Sequence, residues 1–405
     1  MTSASVLREG ELFRRYSVLR SKSRLRDKVG ANNHQNRKGR LMFKIVITVV
    51  AAITVTSVSG AIADRNAIAT EIGYPPYVRR QCDDGIGINC LKAWQDRIYI
   101  GYGSWSPNRG PVCINYFLPS DNKFVTETVY IDDENRNQVF LLEDSISNYV
   151  EIVDKLYITG TDPMPYPNET PAESWEWGDF YRNDGSGWVK YRTIPNGVHT
   201  FDMSKKDGYF FAAIGVEPGE IPLLRSEDGG ESWVDAIAST GIIRFNHLFK
   251  LQHALYAIAS RGDPGKVYKY DGNTKLFAET SWNLMPGNAK AVACIAVTDD
   301  RIYYIAMGNN HIYTALQEQN GVELAKHNPD EKIWDLKIVD KYLYMLTTVE
   351  SGDEYTVVIY RIEGTIYKSS VSTVLPSEAI SMEILNDTIY LGTRSGVIYS
   401  ITDDS

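Results

Sequence analysis

Cysteine is scarce in this chain: 4 of 405 residues, at positions 82, 90, 113 and 294, with no CxxC among them. That removes the short-spaced thiol pairs on which dithiol redox sites and cysteine-framed zinc folds depend. Gly-x-Ser-x-Gly, His-Glu-x-x-His, a phosphate-binding loop and a dinucleotide fingerprint are also missing, and Gly185-Ser186-Gly187 is turn chemistry rather than a nucleophile elbow. No helix-period apolar pattern interrupts the body of the chain. An excess of positive charge is confined to one end: residues 1–44 carry 12 Lys and Arg against 3 Asp and Glu, leaving 30 against 48 in the rest. So acidic a body argues against nucleic acid or an anionic membrane as a partner.

What is present starts with that basic arm, residues 1–41. An apolar run follows from Met42-Phe43-Lys44 to about Gly60, ending in Ala61-Ile62-Ala63. A charged start, an apolar core and small residues at the end are the parts of a signal peptide, with Met42 as the true start and cleavage after Ala63. The alternative keeps residues 43–63 as a single membrane anchor with the basic arm inside. Either reading exports the acidic body, so the expectation is a secreted, periplasmic or cell-surface protein. In that compartment Cys82 and Cys90, flanking a Gly-rich turn, are the expected disulfide pair.

A phrase recurs along the body, in which a polar turn is followed by a strand opening on an aromatic residue: Tyr99, Tyr157, Phe211, Tyr256, Tyr303, Tyr344 and Tyr390. The intervals are 58, 54, 45, 47, 41 and 46 residues, the length of a four-stranded propeller blade. A further strand of each unit is expected at Val129-Tyr130, Phe180-Tyr181, Val267-Tyr268, Ile312-Tyr313, Ile359-Tyr360 and Ile398-Tyr399. The expected fold is therefore an all-β, seven-bladed β-propeller over residues 89–405, with six blades as the alternative. Only 15 residues follow Tyr390, so residues 64–88 are expected to supply a ring-closing strand and leave no open edge.

Ser226, Asp228, Gly230 and Trp233 occupy the fixed positions of Ser-x-Asp-x-Gly-x-x-Trp. In such a turn the Asp caps backbone N–H groups, the Gly bends tightly and the Trp anchors the hairpin. Asn183-Asp184-Gly185 and Asp271-Gly272 are worn copies. With the tyrosine repeat, this motif resembles the Asp-box of the sialidase-like β-propellers, also called bacterial neuraminidase repeat proteins. The resemblance implies a structural turn on the face away from any active site, in a family that holds glycosidases as well as proteins with no hydrolase activity. The Phe/Tyr-Arg-Ile-Pro motif of sialidases is not matched, the nearest strings being Tyr181-Arg182-Asn183-Asp184 and Arg192-Thr193-Ile194-Pro195. Sialidases of the family also have six blades, against seven repeats here.

Counting nine residues back from each repeat aromatic reaches Cys90, Asn148, His247, Cys294, Asp335 and Ser381. A longer turn in the third unit aligns His199 there instead. Propeller symmetry would gather these around a central channel, where His, Cys and Asp are ligands for zinc or another transition metal; no other cofactor is expected. Loops on the same face offer Trp105 and Arg109, then Tyr166, Trp175 and Trp177 beside Glu173, Glu176 and Asp179. Further on come Glu217 and Glu220, Arg261 and Asp263, and Arg394. Aromatic rings beside acids grip sugars, while Arg109, Arg261 and Arg394 invite comparison with a carboxylate-binding cluster. Glu173, Glu176, Asp202, Glu217 and Asp263 are candidates for the carboxylate pair of a glycoside hydrolase. The expected function is the binding of a glycan or small polar ligand by a monomer. Glycoside hydrolysis is the first alternative, and a protein-interaction scaffold at the cell envelope the second.

Overall fold

The computed structural model describes residues 64–80, 87–103, 110–131, 136–164, 176–217, 219–238, 241–285, 290–307, 310–324 and 330–402. The leader and apolar run, and with them Cys82, Trp105, Arg109, Tyr166, Glu173 and Trp175, lie outside the described residues. Among those residues there is no α-helix, only the 3-10 turns Val78–Arg80 and Pro119–Asp121. Among the described residues no helix is long and apolar enough to cross a membrane.

One antiparallel meander recurs, running from an inner strand outward. In chain order the inner strands are Ile88–Trp94, Tyr149–Ile152, His199–Lys206, Arg244–Leu251, Val292–Val297, Lys332–Val339 and Ala379–Leu385. Each is followed by a second strand that holds the repeat aromatic, such as Arg97–Tyr102 with Tyr99 or Thr388–Thr393 with Tyr390. Five of the connections are two-residue hairpins in which both residues take positive φ: Gln95 and Asp96, Val153 and Asp154, Asp207 and Gly208, Gln252 and His253, Asn386 and Asp387. That geometry matches the twist of the flanking strands and favours Asp, Asn and Gly, hence the polar turn before each aromatic.

The meander beginning at Ala379–Leu385 is completed from the other end of the chain. Thr70–Gly73 pairs antiparallel with Ile398–Thr402, and Asp64–Asn66 runs parallel to 370–372 on the outer edge of the preceding sheet. A second parallel addition departs from the sequence expectation. Val129–Ile131 is not the third strand of the first unit; it runs parallel to 188–190 on the outer edge of the second. Asn115–Leu118 fills the third place, burying Tyr116 and Phe117. Val129 and Ile131, both buried, therefore serve to cap the neighbouring sheet.

The apolar core is distributed between neighbouring sheets. Ile152, Phe180, Met203 and Leu224 fill the gap between second and third units, Phe249, Tyr256, Trp282 and Tyr304 that between fourth and fifth. Tyr390 and Ile398 of the last unit pack with Tyr99 and Phe117 of the first. An aromatic at the repeat position suits this arrangement, because its ring fills the inter-sheet space while a hydroxyl can still find a partner. Tyr303, for example, donates to the Gly364 carbonyl at 3.0 Å.

Residues 226–233 form a closed turn. Glu231 N and Ser232 N donate to Asp228 Oδ1 at 3.0 and 2.9 Å, and Gly230 N donates to Ser226 Oγ at 2.8 Å. Trp233 Nε1 donates to Thr193 Oγ1 of the preceding unit at 3.1 Å. Gly230 is required twice: its φ is 103°, and a Cβ would stand 2.5 Å from the Phe180 ring. The turn follows a third strand, so it lies on the face opposite the one where the inner strands begin.

Candidate functional site

The inner strands surround a cavity of about 670 Å³. Near its start each strand is kinked in the same way. The pairing register shifts between Ile88 and Cys90, Thr200 and Asp202, Phe245 and His247, Val292 and Cys294, Ile333 and Asp335, and Ala379 and Ser381. Such a bulge frees a backbone N–H and re-aims the side chain that follows it. The second unit reaches the same place with Asn148, immediately before its inner strand.

These seven side chains form a belt in which each residue bonds to the next inner strand. The Cys90 sulfur takes the Tyr149 backbone N–H, and Asn148 Nδ2 donates to Phe201 O at 3.4 Å. Asp202 Oδ2 accepts from Leu248 N at 2.7 Å, and His247 Nε2 lies 3.3 Å from Val292 O. Cys294 Sγ donates to Asp335 Oδ1 at 3.8 Å. Asp335 Oδ2 accepts from Met382 N at 3.0 Å, and Ser381 Oγ donates to Ile88 O at 2.7 Å, which returns the belt to the first strand. Both aspartates also accept the N–H of their own successor, Met203 or Leu336, at 2.8 Å.

One sequence assignment is corrected here. The third belt position belongs to Asp202, not His199, because the bulge lies nine residues before the repeat aromatic in this unit as in the others. His199 instead stands beside Asp162, Nδ1 to Oδ1 3.0 Å. The disulfide expected between Cys82 and Cys90 falls on a residue outside the described ones, and the Cys90 side chain follows the bulge into the belt.

Burial sets the protonation of the belt. It pushes Asp202 up to about 7 and His247 down to about 4, leaving the imidazole neutral near pH 7. It raises the Cys294 thiol to about 12. Burial raises Asp335 as well, opposed by Lys337. Lys337 Nζ lies 3.6 Å from Asp335 and 3.8 Å from Glu383 and donates to Leu91 O at 3.1 Å. It thus reaches from the sixth inner strand to the first. Among the described residues no three His, Cys, Asp or Glu side chains group to hold a metal ion.

Just above the belt the cavity is lined by Asn89, Ser147, Phe201, Asn246, Ala293 and Trp334, each one residue ahead of a belt position. Asn89 Oδ1 is buried without a hydrogen-bond partner, and Asn246 Oδ1 accepts from Ser260 Oγ at 2.7 Å. The rings of Phe201 and Trp334 carry cations: Arg244 Cζ is 4.8 Å from the Phe201 centroid, Lys332 Nζ 3.6 Å and Arg394 Cζ 5.0 Å from that of Trp334. Arg394 is paired with Glu378, Nε to Oε2 2.8 Å, and so does not join Arg261 in one cluster. Trp177 is 45% exposed at the start of its strand, outside the set that lines the cavity. Glu217 N is bonded to Glu220 Oε2 at 3.2 Å on the surface.

A carboxylate pair that spacing did not reveal joins Glu143, on the strand Glu143–Ser145, to Asp179 of the second unit. Glu143 and Asp179 are almost wholly buried, with Tyr181 donating to Glu143 at 2.8 Å and Lys190 2.7 Å from Asp179. Burial, and then the charge of Asp179, hold Glu143 well above the usual carboxylate range. Asn246 and Trp334 were legible in principle, one step before positions already counted, and Phe201 follows once the nine-residue offset is kept in the third unit. Arg244 was as well, since a two-residue turn at 252–253 puts it opposite Arg261.

No family model matches the sequence, and no curated protein matches it. Solved structures resemble it in fold. A streptogramin B lyase aligns with a TM-score of 0.54 at 10% identity, over 83% of this chain and 97% of that one. A catalytically inactive virginiamycin B lyase from Staphylococcus aureus, with quinupristin, gives 0.53 at 12% identity, over 79% and 96%. The extracellular domain of BT4673 from B. thetaiotaomicron gives 0.52 at 10% identity, over 83% of this chain but 43% of that one. The architecture is therefore that of the β-propellers.

Proposed function

We propose that this is an exported, seven-bladed β-propeller of the Asp-box kind that binds a small polar ligand in the upper part of its central channel. The observation that carries the reading is the division of labour along each inner strand. Belt side chains are tied to the neighbouring strand, while those one residue earlier face a cavity of about 670 Å³ with amides, a hydroxyl and two aromatic rings. Polar groups converging beside rings in a cavity of this size suit a drug-sized or smaller ligand with hydroxyl or amide groups, sugars included. The buried, unpartnered Asn89 Oδ1 is an acceptor that a bound donor would satisfy.

Catalysis by a carboxylate pair is less well supported. Asp202 and Asp335 each hold two backbone N–H groups, and Glu143 and Asp179 are buried away from the channel lining. Seven blades are supported by the seven inner strands and by the hydrogen bond from Ser381 back to Ile88. Isothermal titration of the purified protein with a panel of mono- and oligosaccharides and small polar metabolites tests the reading. Ala293 lines the channel, so Ala293→Trp fills it and is expected to abolish binding. Undiminished binding by Ala293→Trp, or no binding across the panel, overturns it.

A further inference from the structure

We infer that Arg244 and Arg261 form an oxyanion site at the channel mouth, taking a carboxylate or phosphate group. The two arginines are direct partners across an antiparallel hairpin, Arg244 on Arg244–Leu251 and Arg261 on Ala254–Arg261. Like charges directly opposite on a sheet repel, and among the described residues no carboxylate lies within ion-pair distance of either. Asp162 acts on the charge of Arg244 from beyond ion-pair distance and stands 3.0 Å from His199. Arg244 Nε is buried with no hydrogen-bond partner.

The arrangement is a built one. The Arg244 guanidinium rests 4.8 Å from the centroid of Phe201, itself a channel-lining ring. The space it occupies depends on Gly215, where a Cβ would stand 3.0 Å from the Phe201 ring and 3.3 Å from Arg244 Nε. Stacking fixes the plane of one guanidinium, and exposed Arg261 supplies a second fork beside it. Two such forks match the paired oxygens of a carboxylate or phosphate and would relieve the mutual repulsion. That the anion is part of the channel ligand rests on the function proposed above; the site itself does not.

Thermal unfolding in sodium phosphate and in sodium acetate, each against sodium chloride at equal ionic strength, tests the site. Phosphate stabilises many folded proteins by exclusion from their surfaces, so the readout is the difference between the native protein and Arg261→Gln. The expected result is an extra rise of roughly 1–3 °C in Tm with phosphate, acetate or both. It should be present in the native protein and in Ala293→Trp, and absent in Arg261→Gln. Arg261→Gln should also melt higher than the native protein in chloride, since it removes the repulsion. A native shift no larger than that of Arg261→Gln in both salts overturns the site. Retention of the shift in Ala293→Trp, whatever that variant does to sugar binding, separates this site from the channel reading.

Discussion

Asp228 on the outer turn and Asp202 in the channel make the same backbone contacts and titrate in opposite directions. Each carboxylate accepts two main-chain N–H groups, Asp228 from Glu231 and Ser232, Asp202 from Met203 and Leu248. Asp228 is exposed and held well below the usual carboxylate range, chiefly by the Ser232 hydroxyl and its N–H. Asp202 is 8% exposed, and burial drives it up to about 7 in spite of its two donors. Backbone donors favour the charged form in both places; at Asp228 the Ser226 and Ser232 hydroxyls add to them at 2.7 and 2.5 Å, whereas at Asp202 desolvation outweighs them. Asp335 stands between them. It repeats the Asp202 contacts one-for-one but has Lys337 at 3.6 Å.

The largest effect is expected from removing that cation. Lys337→Met leaves Asp335 and Glu383, whose side chains are 13% and 10% exposed, without their partner inside the ring. Breaking a buried ion pair from one side costs about 3–5 kcal/mol, and urea denaturation should register a loss of that size. A loss below ~1 kcal/mol, the range of surface pairs, would show that Lys337 does not hold Asp335 charged and would dissolve the distinction between the two aspartates.

Asp202 comes next. Asp202→Ala orphans the Leu248 and Met203 N–H groups, at a cost of roughly 1–3 kcal/mol for each that stays buried and unpaired. The pH dependence is more diagnostic. A folded-state pKa near 7 lies above the unfolded value of about 4, so folding takes up a proton. The stability from this group is complete below about pH 4 and is lost as pH rises through 7. Tm of the native protein relative to Asp202→Asn should therefore fall from pH 5 to pH 8. A flat difference across that range would mean that Asp202 is charged throughout.

Much of this comparison could be read from the chain, and the parts that could not share a cause. The repeat aromatics mark the second strands because a two-residue turn and an inter-sheet ring are local demands. The nine-residue offset finds the bulge, and applied without exception it reaches Asp202. Allowing a longer turn in the third unit led to His199, although Asp207 and Gly208 close that hairpin in two residues like its neighbours. What spacing could not show is direction. Cys90, His247, Cys294 and Asp335 read as a ligand set because symmetry gathers them, yet each is aimed at an adjacent strand some 40 to 60 residues away in sequence. The parallel strand Val129–Ile131 is likewise set by a long-range edge rather than by its own pattern.

The smallest expected effect belongs to Asp228, and its sign is the opposite of that at Asp202. Its carboxylate is held below the unfolded value by groups that bond the charged form. Its contribution is therefore complete above about pH 4 and is lost as pH falls further. Asp228→Asn keeps one acceptor oxygen and much of the turn, so near neutral pH its Tm should sit only slightly below the native value. That gap should stay constant from pH 8 to pH 5 and close in more acidic solution. Melting curves from pH 2.5 to pH 8 on Asp202→Asn and Asp228→Asn would place the two titrations at opposite ends of one axis. Were both variants to diverge from the native protein in the same pH window, burial would not be separating the two carboxylates, and the contrast between turn and channel would fall.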